Sequence, residues 1–173
     1  MIALPRYDLQ PGRLCLARKP IVLQTILGSC VSVTLWSARL NAGAMCHGRL
    51  PRCPTKWPAG STVLDGHRYV DFSIRYLAEQ FDALGVNRSE VQVRVFGGAD
   101  VLPISCTVPG KLSIGALNCE SALEVLRAEG LTVLASDLGG VDGRRLRFNT
   151  GTGEVLMHRI VISKDVLPVR GSK

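Results

Sequence analysis

The sequence predicts a single α/β domain with a mixed β-sheet core and about two main helices. Two stretches carry apolar residues at helical spacing, and several others alternate apolar and polar residues as strands do. The chain has 173 residues, of which 46% are hydrophobic and 20% charged, so it can bury one sizeable core. We expect the domain to span residues 1–165 and residues 166–173 to form a loose tail.

A β-hairpin is predicted in the first third of the chain. Residues 30–36 alternate in the pattern of a strand, residues 37–40 are expected to form the turn, and residues 41–50 the returning strand. With a four-residue loop, Cys30 would lie directly opposite His47. The hairpin therefore predicts that a cysteine and a histidine are close neighbours.

Alternation gives this hairpin two different faces. Cys30 and His47 would share one face, with Cβ atoms about 4.5–5.5 Å apart. The other face is predicted to be an apolar core surface carrying Val31, Val33, Leu35, Ala42, Ala44 and Cys46. Cys46 is therefore expected to be a buried thiol rather than a second nucleophile.

The two main helices are predicted further along the chain. Apolar residues recur at helical spacing from Val70 to Leu84, and Gly85 is placed to end that helix. The second helix is expected to begin after Asn118, which is a good N-cap residue, and to end at Gly130.

The other segments are predicted to be a loop and further strands. The prolines between residues 51 and 60 indicate a loop beside the hairpin. A strand from Val91 to Val95 runs into Gly97 and Gly98, which favour a tight turn or a close backbone approach. Strands at residues 131–135, 145–148 and 154–162 complete the C-terminal half.

Charge and hydropathy narrow the class of protein. No apolar run approaches the roughly 18 residues of a membrane span, and the N-terminus lacks the pattern of a secretory signal, so we expect a cytoplasmic protein without membrane insertion. The net charge of +7 favours an acidic partner, either nucleic acid or an acidic protein surface. Scattered arginines and an aromatic content of 5% argue against nucleic acid. A basic protein with no charged ligand remains an alternative.

Six cysteines could form disulfides, bind zinc or remain free thiols. Free thiols are favoured because a reducing compartment is expected. No Cys-x-x-Cys pair is present, and the spacing of Cys46, His47 and Cys53 matches no common zinc framework. We therefore expect neither a metal nor an organic cofactor.

The segment around Cys30 has features of a nucleophile site. Gly28 permits a tight backbone approach, and the backbone N–H groups of Ser29 and Cys30 could stabilise an oxyanion. His47 could take the thiol proton as a general base, and Thr25 could orient its ring. Spacing alone leaves alternatives open, because buried cysteines are usually inert and Thr25 also fits an ordinary strand.

Several motifs occur in an order that resembles the CheD family of chemoreceptor glutamine deamidases. The resemblance covers residues 10–160 approximately. The motifs are Thr25-Ile26-Leu27-Gly28-Ser29-Cys30-Val31-Ser32-Val33, Gly43-Ala44-Met45-Cys46-His47-Gly48-Arg49-Leu50-Pro51, Phe96-Gly97-Gly98-Ala99, Ile114-Gly115-Ala116-Leu117-Asn118, Asp137-Leu138-Gly139-Gly140, Gly143-Arg144-Arg145-Leu146-Arg147-Phe148-Asn149-Thr150 and Thr152-Gly153-Glu154-Val155.

This resemblance implies a cysteine, histidine and threonine triad of Cys30, His47 and Thr25. It implies hydrolysis of glutamine side chains on methyl-accepting chemotaxis receptors, with a CheC-type phosphatase as a further partner. The sequence departs from the family at Cys46, where asparagine is usual, and at Ala116 and Leu117, where charged residues are usual.

Two other functions fit the same residues. A non-catalytic chemotaxis adaptor could bind receptors or a CheC-type phosphatase without turnover. A cysteine peptidase or transglutaminase could use the same thioester chemistry on a peptide bond or an amine.

Overall fold

The computed structural model of this chain describes residues 3–56, 58–101 and 110–161. The predicted tail at residues 166–173 and Cys106 lie outside the described residues. In chain order the elements are β1 (Arg6–Asp8), β2 (Leu14–Ala17), β3 (Val22–Leu27), β4 (Val31–Ser37), β5 (Ala42–Gly48), α1 (Val63–Gly66), α2 (Val70–Ala83), a 3-10 turn (Arg88–Glu90), β6 (Gln92–Gly97), α3 (Ile114–Ala128), β7 (Val133–Leu138), β8 (Gly143–Asn149) and β9 (Val155–Ile160).

The strands form two mixed sheets. One has four strands in the order β1-β3-β8-β9, and the other has five in the order β2-β5-β4-β6-β7. The pairs β1 with β3 and β6 with β7 are parallel, and the other described pairs are antiparallel. The predicted α/β class with two main helices is confirmed, although the strands divide between two sheets.

The five-stranded sheet is the central layer of the molecule. Because successive side chains of a strand point to opposite faces, it contributes to two separate cores. One face packs against α2 and α3 through a cluster that includes Val33, Leu77 and Val125. The other face meets the four-stranded sheet in a cluster that includes Met45 and Phe148.

The predicted hairpin exists, but its register differs from the prediction by two residues. Ser32, not Cys30, is paired with His47, because β4 continues to Ser37 and the turn lies at residues 38–41. Asn41 adopts a left-handed conformation with φ of 47° there, which lets the chain reverse one residue later. The direct pairing of Cys30 with His47 is therefore wrong.

The two predicted faces survive this shift, because a change of two residues keeps each side chain on its face. One buried cluster contains most of the predicted core face, namely Val31, Val33, Leu35, Ala44 and Cys46. Ala42 is buried as well, although it lies outside that cluster. The prediction of Cys46 as a buried core thiol is confirmed.

The start of α3 corrects a second prediction. The helix begins at Ile114, and the Ser113 hydroxyl caps it by accepting a hydrogen bond from the N–H of Ala116 at 3.1 Å. Asn118 is therefore no N-cap but a buried residue inside the helix. Gly130, with φ of 68°, follows the helix end as expected.

Helices α2 and α3 are amphipathic elements of a packed domain. Within residues 3–56, 58–101 and 110–161, none of the helices combines the length and apolar character needed to cross a membrane.

Candidate active site

His47 lies near the end of β5 and is buried, with 1% of its surface exposed. Its Nδ1 is 2.8 Å from the hydroxyl of Thr25, which is on β3 in the other sheet. The structure therefore brings Thr25 and His47 together, and it also places Thr25 in a strand. The pair lies where the two sheets meet.

The hydrogen bonds of Thr25 fix the tautomer of His47. The Thr25 hydroxyl donates its single proton to the backbone carbonyl of Leu9 at 2.7 Å. The same oxygen must then accept from His47, so the ring proton is on Nδ1 and Nε2 keeps its lone pair. Nε2 is buried and has no hydrogen-bond partner among the described residues. It is therefore available to accept a proton from a substrate or a neighbouring thiol.

His47 is neutral at physiological pH. Burial lowers its pKa, the Leu9 carbonyl partly opposes this, and the Arg49 charge lowers the pKa as well, so that it lies at about 4. A neutral imidazole with a free Nε2 is the form that a general base requires.

Cys30 lies in the turn between β3 and β4 and is partly buried. It packs against the same apolar cluster as Met45, on the face of β5 that also carries His47. Cys30 directly precedes Val31, the first paired residue of β4, and Val31 is opposite Gly48, so Cys30 and His47 lie at the same end of the hairpin.

The backbone of Gly97 and Gly98 holds the Cys30 turn in place. The N–H of Gly98 donates to the Cys30 carbonyl at 2.8 Å, and the N–H of Ala99 donates to the Gly28 carbonyl at 2.9 Å. Gly97 has φ of 114°, and a Cβ there would lie 2.2 Å from the Cys30 oxygen. Glycine is therefore required beside this turn, which explains the predicted close backbone approach.

Arg49 is the charged side chain that acts on both candidate residues. Burial raises the pKa of the Cys30 thiol, and the Arg49 charge together with the backbone N–H of Cys30 opposes that rise. The same charge disfavours protonation of His47. Arg49 thus favours a thiolate and a neutral base, and the sequence reasoning missed this role although Arg49 lies two residues after His47.

Asn118 is the second residue of the site that the sequence reasoning missed. Its side-chain amide contacts the backbone on both sides of the site, at Ser29 and at Arg49. The signal in the sequence was ambiguous, because asparagine is common as an N-cap and was interpreted as one.

A cleft of about 530 Å³ reaches His47 and Thr25 from the surface. Cys30 is not among the residues that line it. The cleft is lined by the end of β1 and the segment that follows it, by β3 and β8, and by His47 of β5. The lining residues are Asp8, Leu9, Gln10, Pro11, Gln24, Thr25, Ile26, His47, Arg145 and Arg147.

The five cysteines in the described part of the chain are free thiols. Burial raises the pKa of Cys46 to about 11, so this neighbour of His47 stays protonated and is unsuited to nucleophilic attack at neutral pH. In that same part of the chain, no three or more His, Cys, Asp or Glu side chains are grouped to hold a metal ion.

Comparison with known proteins gives a family and several close relatives. The model of a family described as CheD chemotactic sensory transduction matches residues 52–159. A Geobacter sulfurreducens protein named probable chemoreceptor glutamine deamidase CheD 2 is 43% identical over 157 residues, covering 91% of each chain. Two further relatives are named probable chemoreceptor glutamine deamidase CheD. The one from Maridesulfovibrio salexigens is 37% identical, and the alignment covers 90% of this chain and 92% of that protein. The one from Rhodospirillum rubrum is 38% identical, and the alignment covers 91% of this chain and 84% of that protein.

The family model matches from residue 52 onward, so it does not cover Thr25, Cys30 or His47. Similarity at these three positions is covered by the longer alignments with individual proteins. The Geobacter alignment covers 91% of this chain and therefore includes Thr25, Cys30 and His47 wherever it begins.

Proposed function

This chain belongs to the CheD family, and from that premise we propose that it hydrolyses glutamine side chains of chemoreceptors to glutamate. The names of its relatives support this activity. The observation that carries the proposal is the hydrogen bond between Thr25 and His47 Nδ1, which leaves Nε2 free as a base. Cys30, on the same face of the sheet, is the proposed nucleophile.

The proposed reaction has two halves. His47 Nε2 takes the thiol proton while Cys30 attacks the side-chain carboxamide carbon, and the backbone N–H groups of Ser29 and Cys30 stabilise the oxyanion. His47 then protonates the leaving group, so ammonia departs and a γ-glutamyl thioester remains. Water activated by His47 hydrolyses the thioester, which releases glutamate and restores the Cys30 thiol.

The resting pair is proposed to be neutral rather than an ion pair. Burial raises the pKa of Cys30 and lowers that of His47, so proton transfer is unfavourable before substrate binds. The thiolate then forms as the new bond to carbon develops, in the manner of general base catalysis. Such a thiol would be protected from unspecific oxidation and alkylation.

The proposed substrate is an exposed glutamine on a cytoplasmic helix of a methyl-accepting chemotaxis receptor, which places the enzyme in the cytoplasm. Each turnover gives the receptor helix one more carboxylate and hence one more negative charge. A CheC-type phosphatase is proposed as a further partner on the basis of family membership.

Mass mapping of receptor peptides tests this function against its alternatives. Incubation with a receptor fragment should add about one dalton to specific glutamine peptides without cleavage, because NH2 is replaced by OH. Peptide cleavage would indicate a peptidase, cross-linking to amines a transglutaminase, and binding without a mass change an adaptor.

The matched variants for this experiment are Cys30→Ala and Cys53→Ser. Both remove a partly buried free thiol, but Cys53 lies in the loop after β5. We expect Cys30→Ala to abolish the mass change and Cys53→Ser to retain it. Deamidation at the unmodified rate by Cys30→Ala would refute the mechanism.

A further inference from the structure

Asn118 connects the two chain segments that carry the candidate catalytic residues. It lies on α3 with none of its surface exposed. Its Nδ2 donates to the carbonyl of Ser29 at 2.9 Å and to the carbonyl of Arg49 at 3.1 Å. Ser29 directly precedes Cys30, and Arg49 follows His47 by two residues, so one amide group bridges the nucleophile turn and the end of β5.

The chemistry of the two acceptors fixes the orientation of this amide. A carbonyl oxygen can only accept, so the NH2 group of Asn118 must face both of them and uses both of its protons. The amide oxygen Oδ1 is left buried, without a hydrogen-bond partner in the described part of the chain. Burying an unpaired oxygen is unfavourable. An apolar side chain of similar shape would avoid that penalty. The advantage of asparagine at this position is therefore the pair of hydrogen bonds that its NH2 group donates.

Helix α3 is a rigid support for this bridge. Gly115 packs so tightly that a Cβ there would lie 2.6 Å from the carbonyl oxygen of Gly98. Gly98 in turn donates its N–H to the carbonyl of Cys30. The Cys30 turn is therefore held by α3 in two ways, through Gly98 and through Asn118.

We propose that Asn118 is a positioning residue that holds the Cys30 turn against the end of β5, and so sets the spacing of the thiol, the base and the Arg49 charge. Its hydrogen bonds go to backbone carbonyls and not to the side chains of Cys30 or His47. Its effect on turnover rests on the proposed deamidation, but its effect on the Cys30 thiol can be measured without any substrate.

Removing the bridge has a predictable effect on the thiol. The Arg49 charge favours the thiolate of Cys30. When Ser29 and Arg49 are no longer held together, that charge acts more weakly, and the pH at which Cys30 reacts with an alkylating reagent should rise. A loosened nucleophile and base should also lower kcat more than they change KM, because ground-state binding of the receptor does not depend on their spacing.

The test uses Asn118→Leu, which has a similar shape and introduces no charge, and Asn118→Ala as a second variant. The control is Ser121→Ala, which removes a similar bond one turn later, from the Ser121 hydroxyl to the Pro51 carbonyl at 2.5 Å. Iodoacetamide modification of Cys30 is followed by peptide mapping from pH 7 to pH 11, because burial already raises the pKa of this thiol. Melting temperature, kcat and KM are measured beside it.

We expect both Asn118 variants to move the alkylation midpoint upward and to lower kcat by about ten- to hundredfold, as a misplacement of about 1 Å can do. Ser121→Ala should leave both unchanged. An alkylation midpoint that matches the control in both Asn118 variants overturns the proposal, whatever the change in kcat. So does failure of both Asn118 variants to fold while the control folds, because the amide would then act in folding rather than positioning.

These outcomes are separate from the test of the proposed function. If the unmodified protein shows no deamidation but the midpoint still shifts, the proposed function fails and the positioning role stands. If deamidation is present and the midpoint is unchanged, the positioning role fails alone.

Discussion

At the scale of single residues, the site depends on one proton whose position can be deduced. The Thr25 hydroxyl donates to Leu9 and accepts from His47 Nδ1, so the lone pair of the ring lies on Nε2. Sequence alone suggested Thr25, Cys30 and His47 as a set, because of the family resemblance. The sequence could not predict that the Leu9 carbonyl accepts a hydrogen bond from Thr25, because every residue type has a backbone carbonyl.

The Thr25 hydroxyl should matter for turnover but less than the nucleophile. Thr25→Val keeps the shape of the side chain and removes the acceptor for Nδ1–H, so we expect kcat to fall by about ten- to hundredfold, since an orienting group contributes less than the attacking group. Thr25→Ser retains the oxygen and should stay near the unmodified rate. Steady-state rates equal for Thr25→Val and Cys30→Ala would show that the hydroxyl is essential rather than orienting.

Burial of neutral His47 should make folding stability depend on pH. Its pKa falls from 6.5 to about 4 on folding, so below pH 6.5 the unfolded chain binds a proton that the folded chain does not. Stability is therefore full above pH 6.5 and is lost progressively down to pH 4, by about 3 kcal/mol at 1.36 kcal/mol per unit of pKa.

Urea unfolding of the unmodified protein and of His47→Gln between pH 7 and pH 4 measures this contribution. The variant should lose less stability across that window. Burial also lowers the pKa of His67, so this histidine contributes to the same dependence of stability on pH. His67→Gln is therefore the matched control, because it removes that contribution and leaves that of His47. An identical slope with and without His47 would contradict the assignment.

At the scale of elements, the sequence predicted which segments are helices and strands better than where they begin. The hairpin faces were correct because alternation defines them, whereas the register was wrong because the left-handed conformation of Asn41 allows a later turn. The start of α3 was misplaced because Gly115 disfavours a helix locally. Its close contact with Gly98 is a tertiary feature that no local pattern contains.

That contact predicts an unusual effect of alanine at Gly115. Alanine favours a helix over glycine by about 1 kcal/mol. At this position, however, the new Cβ would meet backbone oxygens of Gly98 and Ala99 at 2.6 and 2.9 Å. We therefore expect Gly115→Ala to lower the melting temperature and the deamidation rate together.

Gly85→Ala is the control for that variant. Gly85 follows α2 with φ of 70° and has nothing within 4 Å of an added Cβ, so alanine there strains only the local backbone. It should lower stability slightly and leave the deamidation rate unchanged. A stabilised and active Gly115→Ala protein would show that α3 can move without disturbing the Cys30 turn.

At the scale of the whole molecule, the α/β class and the two main helices were predictable, but the division into two sheets was not. Strands β1 to β3 are short or only partly alternating, and β3 pairs with β8 far along the chain. Non-local pairing of this kind leaves no pattern in a short stretch of sequence. The net charge of +7 was predicted to favour an acidic partner, and the cleft at His47 carries Arg145 and Arg147 on its wall.

These arginines should promote encounter with an acidic receptor helix. Arg145→Glu with Arg147→Glu should raise KM several-fold at low salt while kcat changes little, and added salt should narrow the difference by screening. The control is Arg18→Glu with Lys19→Glu, which makes the same change in net charge at two exposed residues that are not part of the cleft. Equal effects of the control pair and of the cleft pair would indicate that total charge matters rather than its position.

The pairing of β3 with β8 also determines when the enzyme can first become active. A ribosome releases β3, with Thr25, long before it releases β8 at Gly143–Asn149. Until then β3 has only the three residues of β1 as a neighbour, and the sheet that aligns Thr25 with His47 is incomplete. A nascent chain that already exposes Cys30 and His47 therefore lacks the ordered base. Deamidase activity should therefore appear only after β8 has emerged from the ribosome and paired with β3.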